Sequence, residues 1–367
     1  MNSNRLVSIR IRNVEAGPSC CGNYQAKALF YGAGSASPPT CFRAQTLFVH
    51  ESPQERTTQI PNGRSMIVVF RIFCLLMTAL VFQGSVFGQQ KAEPVIRFKT
   101  HEAVTYKQVG TQKLLLDAYI PAEGDKNPAV LILFGGAWKR GNRKQLKGYA
   151  TELAGRGFAC FAIDYRLAPK HKFPAQIEDC RSAVGWIRKH AKEYRVDPDR
   201  LGAVGYSSGG HLATLLGTTG EPPTKENGNV DTRVQVVVAG GAPTDFRWMP
   251  DKGNWAKYWM GGNLDQVPEK FQAASSAAFV DKDDPPMFFF HGVEDAIVPI
   301  IWADMCRLAL KNAGVETQMH RIPDAGHIEA SSNKPALKKA FEFLEKKIGE
   351  KPAIDKPKQT PETPAQQ

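Results

Sequence analysis

The sequence predicts an α/β protein with a mostly parallel central sheet of about eight strands, helices on both faces and a small insertion above the strand carboxyl ends. Two observations predict this class. Apolar runs of strand length recur along the chain, and stretches with helical periodicity separate them. Because parallel neighbours need a crossover of helix length, this alternation indicates a sheet covered on both faces. The predicted domain occupies residues 95–350.

The central strands are continuous apolar runs, which is the pattern of strands buried on both faces of a parallel sheet. An antiparallel pair at 105–109 and 114–119 is expected to precede them. The central strands are predicted at 129–134, 158–164, 201–206, 234–240, 287–292 and 316–322.

The stretches between the strands carry the helical pattern, and in the last of them Leu337, Ala340 and Leu344 fall on one face. Residues 241–284 interrupt the alternation and are rich in tryptophan. An insertion that follows the carboxyl end of a strand is expected above the sheet, where ligands bind in open α/β folds. The helices are predicted at 144–156, 175–194, 208–218 and 334–348.

Composition and charge exclude several classes of protein. The 367 residues are 42% hydrophobic and 23% charged, as in folded globular proteins. Lys and Arg outnumber Asp and Glu by 47 to 36, but residues 1–88 hold 8 basic and 3 acidic side chains of that total. The remainder has no basic block interleaved with aromatic residues, so no nucleic-acid partner is predicted.

The seven cysteines include no C-x-x-C pair, which argues against a zinc ribbon or a thioredoxin-type site. Three of them, Cys160, Cys180 and Cys306, lie in the predicted domain. An odd number leaves at least one thiol free, and the sequence leaves open whether the other two are paired.

Residues 66–88 match the three-part pattern of a secretory signal peptide. Arg71 supplies positive charge, an apolar run covers 72–82, and small residues follow. The run is shorter than the ~20 apolar residues of a comfortable membrane span. We therefore expect an exported protein, secreted or periplasmic, with no stable membrane span after cleavage.

The position of this pattern raises a question about the start of translation. Because a signal peptide begins at the amino terminus, we expect translation to start at Met66 and residues 1–65 to be a start-site artefact or a disordered extension. The alternative is a genuine extension with an uncleaved apolar run as a membrane anchor. Residues 351–367 are rich in Pro, Lys, Thr and Gln and are predicted to be a disordered tail.

The pentapeptide GYSSG at 205–209 matches G-x-S-x-G at the junction of a predicted strand and a predicted helix. In this context the serine sits on a sharp turn that holds its hydroxyl clear of the backbone. Ser207 is therefore the predicted nucleophile. The N–H of Ser208 would lie at a helix amino terminus, where it can stabilise an oxyanion.

A serine nucleophile needs a base and an orienting acid, which follow it in this order in sheets of this type. Asp295 follows the strand at 287–292 and His327 follows the strand at 316–322, so these two are the predicted acid and base. Glu294 is the competing candidate for the acid. Structural roles are expected for the other histidines of this region, His211, His291 and His320.

The second part of an oxyanion hole is expected after the strand at 129–134, where Gly135 and Gly136 stand together. Two glycines allow a loop to turn its amides toward a substrate oxygen without interference from a Cβ atom. Trp138 and Tyr206 adjoin these motifs and are predicted to contact the substrate.

Together these segments resemble the α/β-hydrolase fold and, within it, the lipase/esterase group with an HGG-type motif, in its hormone-sensitive-lipase-like and feruloyl/acetyl-esterase-like branches. The resemblance covers about residues 110–345. The family usually has His where this chain has Phe134, a departure that concerns the oxyanion loop. The segments that carry the resemblance are FGGAW at 134–138, DYRLAPKHKFPAQIED at 164–179, GYSSGGH at 205–211, HGVEDAIVP at 291–299 and AGH at 325–327.

The resemblance implies a carboxylic ester hydrolase with no metal and no organic cofactor. Ser207 would be the nucleophile, His327 the base and Asp295 its orienting acid. We expect short-chain esters as substrates, such as acetyl or feruloyl esters of polysaccharides, because tryptophan faces suit sugar rings. The alternatives are a lipase for longer acyl chains, an amidase, formamidase or peptidase with the same triad, and a non-catalytic binding protein. The sequence leaves the oligomeric state open.

Overall fold

One sheet of eight strands forms the framework of the computed structural model, which describes residues 96–225, 228–248 and 254–349. The strands are β1 (Phe98–Val109), β2 (Gln112–Pro121), β3 (Asn127–Leu133), β4 (Ala159–Ile163), β5 (Val196–Tyr206), β6 (Val236–Gly240), β7 (Met287–Gly292) and β8 (Thr317–Ile322).

The strand order in the sheet is β1-β2-β4-β3-β5-β6-β7-β8. Strand β2 runs antiparallel to both of its neighbours, β1 and β4, and every other adjacent pair is parallel. The predicted fold class, a mostly parallel sheet of about eight strands, is therefore confirmed. Because β3 to β8 share one direction, their carboxyl ends open onto the same edge of the sheet.

Helices cover both faces of the sheet. The helices are α1 (Lys147–Gly155), α2 (Ala175–Lys189), α3 (Ser208–Thr218), α4 (Trp255–Trp259), α5 (Pro268–Ala274), α6 (Ile301–Asn312), α7 (His327–Ser331) and α8 (Lys334–Leu344). A 3₁₀ turn covers Ser276–Ala278, and a π-helical turn, Glu345–Gly349, extends α8 to about the predicted end of that segment. The sequence patterns did not predict α4, α5, α6 or α7, and they placed the end of α2 five residues late.

The alternation of side chains along each strand divides the core into two apolar layers. On β3, Leu131 packs into the layer beneath α2, α3 and α6, whereas Val130 and Ile132 pack into the layer beneath α1 and α8. All three are at most 1% exposed. A strand that is buried on both faces consists of a continuous run of apolar residues, and for this reason the sequence predicts β3 correctly.

The tryptophan-rich insertion between β6 and β7 contains α4 and α5. Its Trp259 is fully buried and stacks on Trp138, which follows β3, with ring centroids 3.6 Å apart and planes 3° apart. Both rings meet His211 of α3 edge-on. The insertion therefore lies over the carboxyl ends of the strands, as predicted.

An ionic clamp holds the loop that follows β3. Arg143 lies in this loop, and its guanidinium is 2.7 Å from Asp117 on β2 and 2.7 Å from Asp164 at the end of β4. The backbone N–H of Arg143 also donates to Asp164, at 2.8 Å. Because Asp117 is only 1% exposed, its charge needs this partner.

The three cysteines of the domain, Cys160, Cys180 and Cys306, are all buried free thiols. Burial raises the pKa of each of them. No disulfide therefore links any of these three residues.

The predicted extension at 1–65, the signal peptide at 66–88 and the tail at 351–367 lie outside the described residues. Among the helices of the described ranges, none combines the length and the apolar character that a membrane span requires.

Replacing the tryptophan that anchors the insertion should destabilise the domain strongly. We expect Trp259→Ala to lower the free energy of unfolding by about 3–5 kcal/mol, because a fully buried indole is lost and its stacking partner is left against a cavity. Trp248→Ala is the matched control, since Trp248 is 70% exposed and its loss should cost less than about 0.5 kcal/mol. Equal effects of the two changes in urea denaturation would contradict this account of the insertion.

Candidate active site

The turn between β5 and α3 holds Ser207 in a left-handed backbone conformation, with φ 56° and ψ −123°. Its N–H donates to the carbonyl of Gly240 at 2.8 Å. A Cβ at Gly205 would lie 2.2 Å from the carbonyl oxygen of Gly209, and a Cβ at Gly209 would lie 2.0 Å from that of Leu133. Both glycines of G-x-S-x-G are therefore sterically required, and the serine projects from a strained, closely packed turn.

Three side chains that are distant in sequence form a continuous hydrogen-bonded chain. Ser207 Oγ is 2.9 Å from His327 Nε2, and His327 Nδ1 is 2.6 Å from Asp295 Oδ2. An ionised carboxylate only accepts hydrogen bonds, so Nδ1 carries the imidazole proton and Nε2 is free to accept from the hydroxyl. The structure thus brings together the predicted nucleophile, base and acid, while the competing Glu294 is exposed.

The surroundings of Asp295 hold it in the ionised form. Its Oδ1 accepts the N–H groups of Ile297 at 3.0 Å and Val298 at 2.7 Å. Burial opposes ionisation, but the hydrogen bonds from His291, His327 and Val298 outweigh it and hold the pKa of Asp295 well below its usual range. The carboxylate is therefore charged wherever the imidazole of His327 can act as a base.

Backbone and side-chain bonds tie the loops of the acid and the base to one another. The N–H of Val293 donates to Ile322 at 3.0 Å, and that of Glu294 donates to Ala325 at 3.1 Å. The hydroxyl of Tyr206 donates to the carbonyl of His327. The base is therefore held from two sides, by the acid loop and by the residue that precedes the nucleophile.

The amides predicted to bind an oxyanion lie beside the nucleophile. A Cβ at Gly135 would come within 3.1 Å of Ser207 Cβ, and Gly136 has a φ of 129°, which favours glycine. Neither of their N–H groups donates to another backbone group among the described residues. Ser208 is the first residue of α3, so its N–H has no acceptor within the helix. The three N–H groups are therefore candidate donors for an oxyanion, and two of their residues, Gly135 and Ser208, adjoin Ser207.

Residues 116–309, more than half of the chain, match the BD-FAE family model. The chain belongs to the BD-FAE family. The family assignment and the sheet topology confirm the resemblance to α/β-hydrolase esterases that the motifs indicated.

Several esterases resemble this BD-FAE chain. Esterase LipC of Mycobacterium tuberculosis is 32% identical over 200 residues, which are 51% of this chain and 49% of the relative. Esterase LipQ of the same organism is 30% identical over 218 residues, 56% of this chain and 51% of the relative. The chain thus spans about half the length of these curated relatives.

Solved structures match the BD-FAE chain over a larger share of their own length. A truncated carbohydrate esterase from gut microbiota aligns with a TM-score of 0.62 and 26% identity, over 71% of this chain and 99% of that chain. Esterase 2 of Thermogutta terrifontis with butyrate bound aligns with a TM-score of 0.57 and 27% identity, over 69% and 94% respectively.

In this BD-FAE chain, aromatic packing supports the loop that is predicted to bind an oxyanion, at the position Phe134 where the resemblance leads us to expect histidine. The ring of Phe134 stacks on Tyr165, with centroids 4.1 Å apart and planes 4° apart. The hydroxyl of Tyr165 donates to the carbonyl of Phe134 at 2.9 Å. Tyr165 thus fixes both the side chain and the backbone that lead into the two glycines.

Trp138 and Tyr206, which the sequence predicts to contact the substrate, are both largely buried and have partners within the protein. Each is only 5% exposed. Trp138 stacks on Trp259 and donates through Nε1 to His211 Nδ1 at 3.1 Å. The hydroxyl of Tyr206 donates to the backbone carbonyl of His327. Both residues support the site from behind.

His211, on α3 one turn beyond the nucleophile, is a buried structural residue, as expected. It accepts from Trp138 at Nδ1, so its Nε2 carries the proton and donates to the carbonyl of Ala274 at 2.8 Å. Burial lowers the pKa of His211 to about 4, so the ring is neutral at physiological pH. It links the nucleophile helix to the insertion.

The rim of the site carries features that the motifs did not reveal. Ile297 is 68% exposed and lies two positions after Asp295, and Ile328 is 67% exposed and follows His327 directly. No periodic pattern indicates that these apolar side chains are exposed, so only the folded arrangement identifies them. As for metals, the described part of this BD-FAE chain contains no group of three His, Cys, Asp or Glu side chains placed to hold an ion.

The stabilisation contributed by Asp295 should depend on pH. Because its pKa is lower in the folded than in the unfolded state, the contribution is fully present above the unfolded pKa of about 3.9 and is lost as the pH falls below it. We expect Asp295→Asn to lower the free energy of unfolding by about 2–3 kcal/mol at pH 7 and by clearly less at pH 3.

Asp283→Asn is the control for this measurement, since the side chain of Asp283 is 78% exposed. Its effect on the free energy of unfolding should be small at both pH values. A deficit of Asp295→Asn that is the same at pH 3 and pH 7 would show that the native carboxylate is not preferentially ionised.

Proposed function

We propose that this chain is a serine carboxylesterase that works through an acyl-enzyme. One observation carries the proposal: the hydroxyl of a strained serine lies 2.9 Å from an imidazole whose other nitrogen lies 2.6 Å from a buried carboxylate. Serine is a weak nucleophile unless such a base accepts its proton. The esterases among the relatives and neighbouring structures support the same reaction class.

In the proposed reaction Ser207 Oγ attacks the ester carbonyl while its proton passes to His327 Nε2. The ionised carboxylate of Asp295 stabilises the imidazolium that forms. The amides of Gly135, Gly136 and Ser208 would bind the oxyanion of the tetrahedral intermediate. The alcohol leaves with the proton from Nε2, and a water molecule then repeats the sequence on the acyl-enzyme, which releases the acid.

Removal of the nucleophile tests the reaction class. We expect Ser207→Ala to lower kcat for p-nitrophenyl acetate by at least about a thousandfold, because no other hydroxyl takes its place beside His327. Ser332→Ala, in an exposed position, should retain the activity of the unchanged protein. Activity of Ser207→Ala within tenfold of the starting value would refute the assignment. Labelling of Ser207 by a fluorophosphonate probe distinguishes an enzyme from a binding protein on the same scaffold.

For the substrate we propose esters of short acyl groups. One turn along α3 from Ser207, the space beneath the insertion is filled by the rings of Trp138, Phe246 and Trp259, each at most 5% exposed. This packing leaves little room there for a long chain. Thermogutta terrifontis esterase 2, solved with propionate and with butyrate bound, offers a precedent for short acids on a related fold.

Acetyl or feruloyl esters of polysaccharides remain our first proposal for the natural substrate, supported by the carbohydrate esterase from gut microbiota. The tryptophan rings Trp138 and Trp259 give less support for sugar binding than the sequence indicated, because they are buried against each other. A lipase acting on longer esters is the second candidate. The exposed isoleucines Ile297 and Ile328 favour it, because they offer apolar surface close in sequence to the acid and the base.

A series of p-nitrophenyl esters separates these candidates. We expect kcat/KM to be highest from acetate to butyrate and to fall at least tenfold at octanoate, since each additional methylene would have to remain in water or displace the packed rings. A kcat/KM that rises through octanoate would favour the lipase. Parallel assays with p-nitroacetanilide report amidase activity through the same triad.

We also propose that the protein is exported, on the basis of the signal-peptide pattern at 66–88. Amino-terminal sequencing of the protein recovered from its native host tests this proposal. A mature chain that begins close after residue 88 is expected. A chain that retains the apolar run would instead indicate an anchored form.

A further inference from the structure

A second histidine lies against the carboxylate of Asp295. His291 is the fifth residue of β7 and precedes Asp295 by four positions. Its Nε2 is 3.2 Å from Asp295 Oδ2 and 2.7 Å from the carbonyl oxygen of Val298. The side chains of His291 and Asp295 are both fully buried.

The chemistry of these neighbours determines the protonation of the ring. A carbonyl oxygen and an ionised carboxylate only accept, so Nε2 of His291 carries the proton; its N–H donates to the carbonyl of Val298 at 2.7 Å, with Asp295 Oδ2 3.2 Å from the same nitrogen. Its Nδ1 is buried and has no hydrogen-bond partner within the described part of the chain. A buried imidazole with one unmatched nitrogen packs less favourably than an apolar ring of similar size. Packing alone therefore does not account for a histidine at this position.

With His291 included, four donors surround the carboxylate, two on each oxygen. Backbone amides of Ile297 and Val298 bind Oδ1, the imidazole of His327 binds Oδ2 at 2.6 Å, and Nε2 of His291 approaches Oδ2 to 3.2 Å. Two donors on each side fix the plane of the carboxylate. Without His291, Oδ2 would keep only the hydrogen bond from the imidazole of His327, which becomes protonated during turnover.

We propose that His291 is a positioning residue of the active site, which orients the carboxylate of Asp295 and through it the imidazole of His327 toward Ser207. This inference rests on the proposed function. The N–H donor of His291 lies at the rigid end of the buried strand β7. The amides that bind Oδ1 belong instead to the loop that carries Asp295 itself. The bond from His291 therefore anchors the acid to the sheet.

Two variants separate donation from packing. His291→Phe fills the volume without a donor, and His291→Gln places an amide N–H close to the position of Nε2. We expect His291→Phe to lower kcat about 10- to 100-fold with KM changed less than about twofold, because the reacting groups are misaligned rather than the substrate bound more weakly. His291→Gln should recover most of the loss. His320→Phe, a histidine on the adjacent β8, is the matched control and should retain full activity.

A double-mutant cycle tests whether the effect passes through the carboxylate. The rate at which a fluorophosphonate probe labels Ser207, followed by mass spectrometry, remains measurable in slow variants. If His291 acts through Asp295, the factor lost in His291→Phe should shrink severalfold in the Asp295→Asn background. An unchanged factor in both backgrounds, or equal losses in His291→Phe and His291→Gln, would overturn the inference. Circular dichroism of each variant confirms that it is folded.

Failure of the inference and failure of the proposed function give different results. If the unchanged protein neither hydrolyses p-nitrophenyl acetate nor reacts with the probe at Ser207, the proposed function fails. If the unchanged protein does both and His291→Phe matches it in kcat and labelling rate, only the role of His291 fails.

Discussion

The close approach of backbone to backbone where β3, β5 and α3 meet is the constraint on which the site depends. A Cβ at Gly209 would lie 2.0 Å from the carbonyl oxygen of Leu133, so α3 can begin directly against the end of β3 only if this position is glycine. At the same junction Gly135 lies beside Ser207, and the serine has a positive φ of 56°. The proposed nucleophile and the proposed oxyanion donor Gly135 are therefore positioned where the same rigid elements pack together.

The other half of the site is held by bonds between loops. The turns after β7 and β8 are joined through backbone amides, and Tyr206 links the strand of the nucleophile to the carbonyl of His327. Asp295 sits at the centre of this arrangement and is kept ionised by the donors around it. A buried carboxylate is stable only when hydrogen-bond donors surround it. The need to keep Asp295 ionised therefore also fixes the orientation of its carboxylate.

The fold and the triad could be predicted because their signals are local. Strands buried on both faces are continuous apolar runs, and the order of serine, acid and histidine follows from the strand ends. The burial of Trp138 could not be predicted, because its partner Trp259 lies 121 positions further along the chain. Helix α6 was not predicted, although its buried residues Ala303, Cys306 and Leu310 recur at helical spacing in the sequence. The contact of His291 with Asp295 could not be predicted either, because it depends on the conformation of the turn between these two residues.

The three buried thiols have a consequence for where the domain can mature. Since Cys160, Cys180 and Cys306 are enclosed in the core and hold their protons tightly, they exchange poorly with glutathione or oxidoreductases. Among these residues no covalent cross-link has to form during folding. The architecture is thus compatible with reducing and oxidising surroundings alike, and its persistence outside a cell would rest on packing rather than on oxidation.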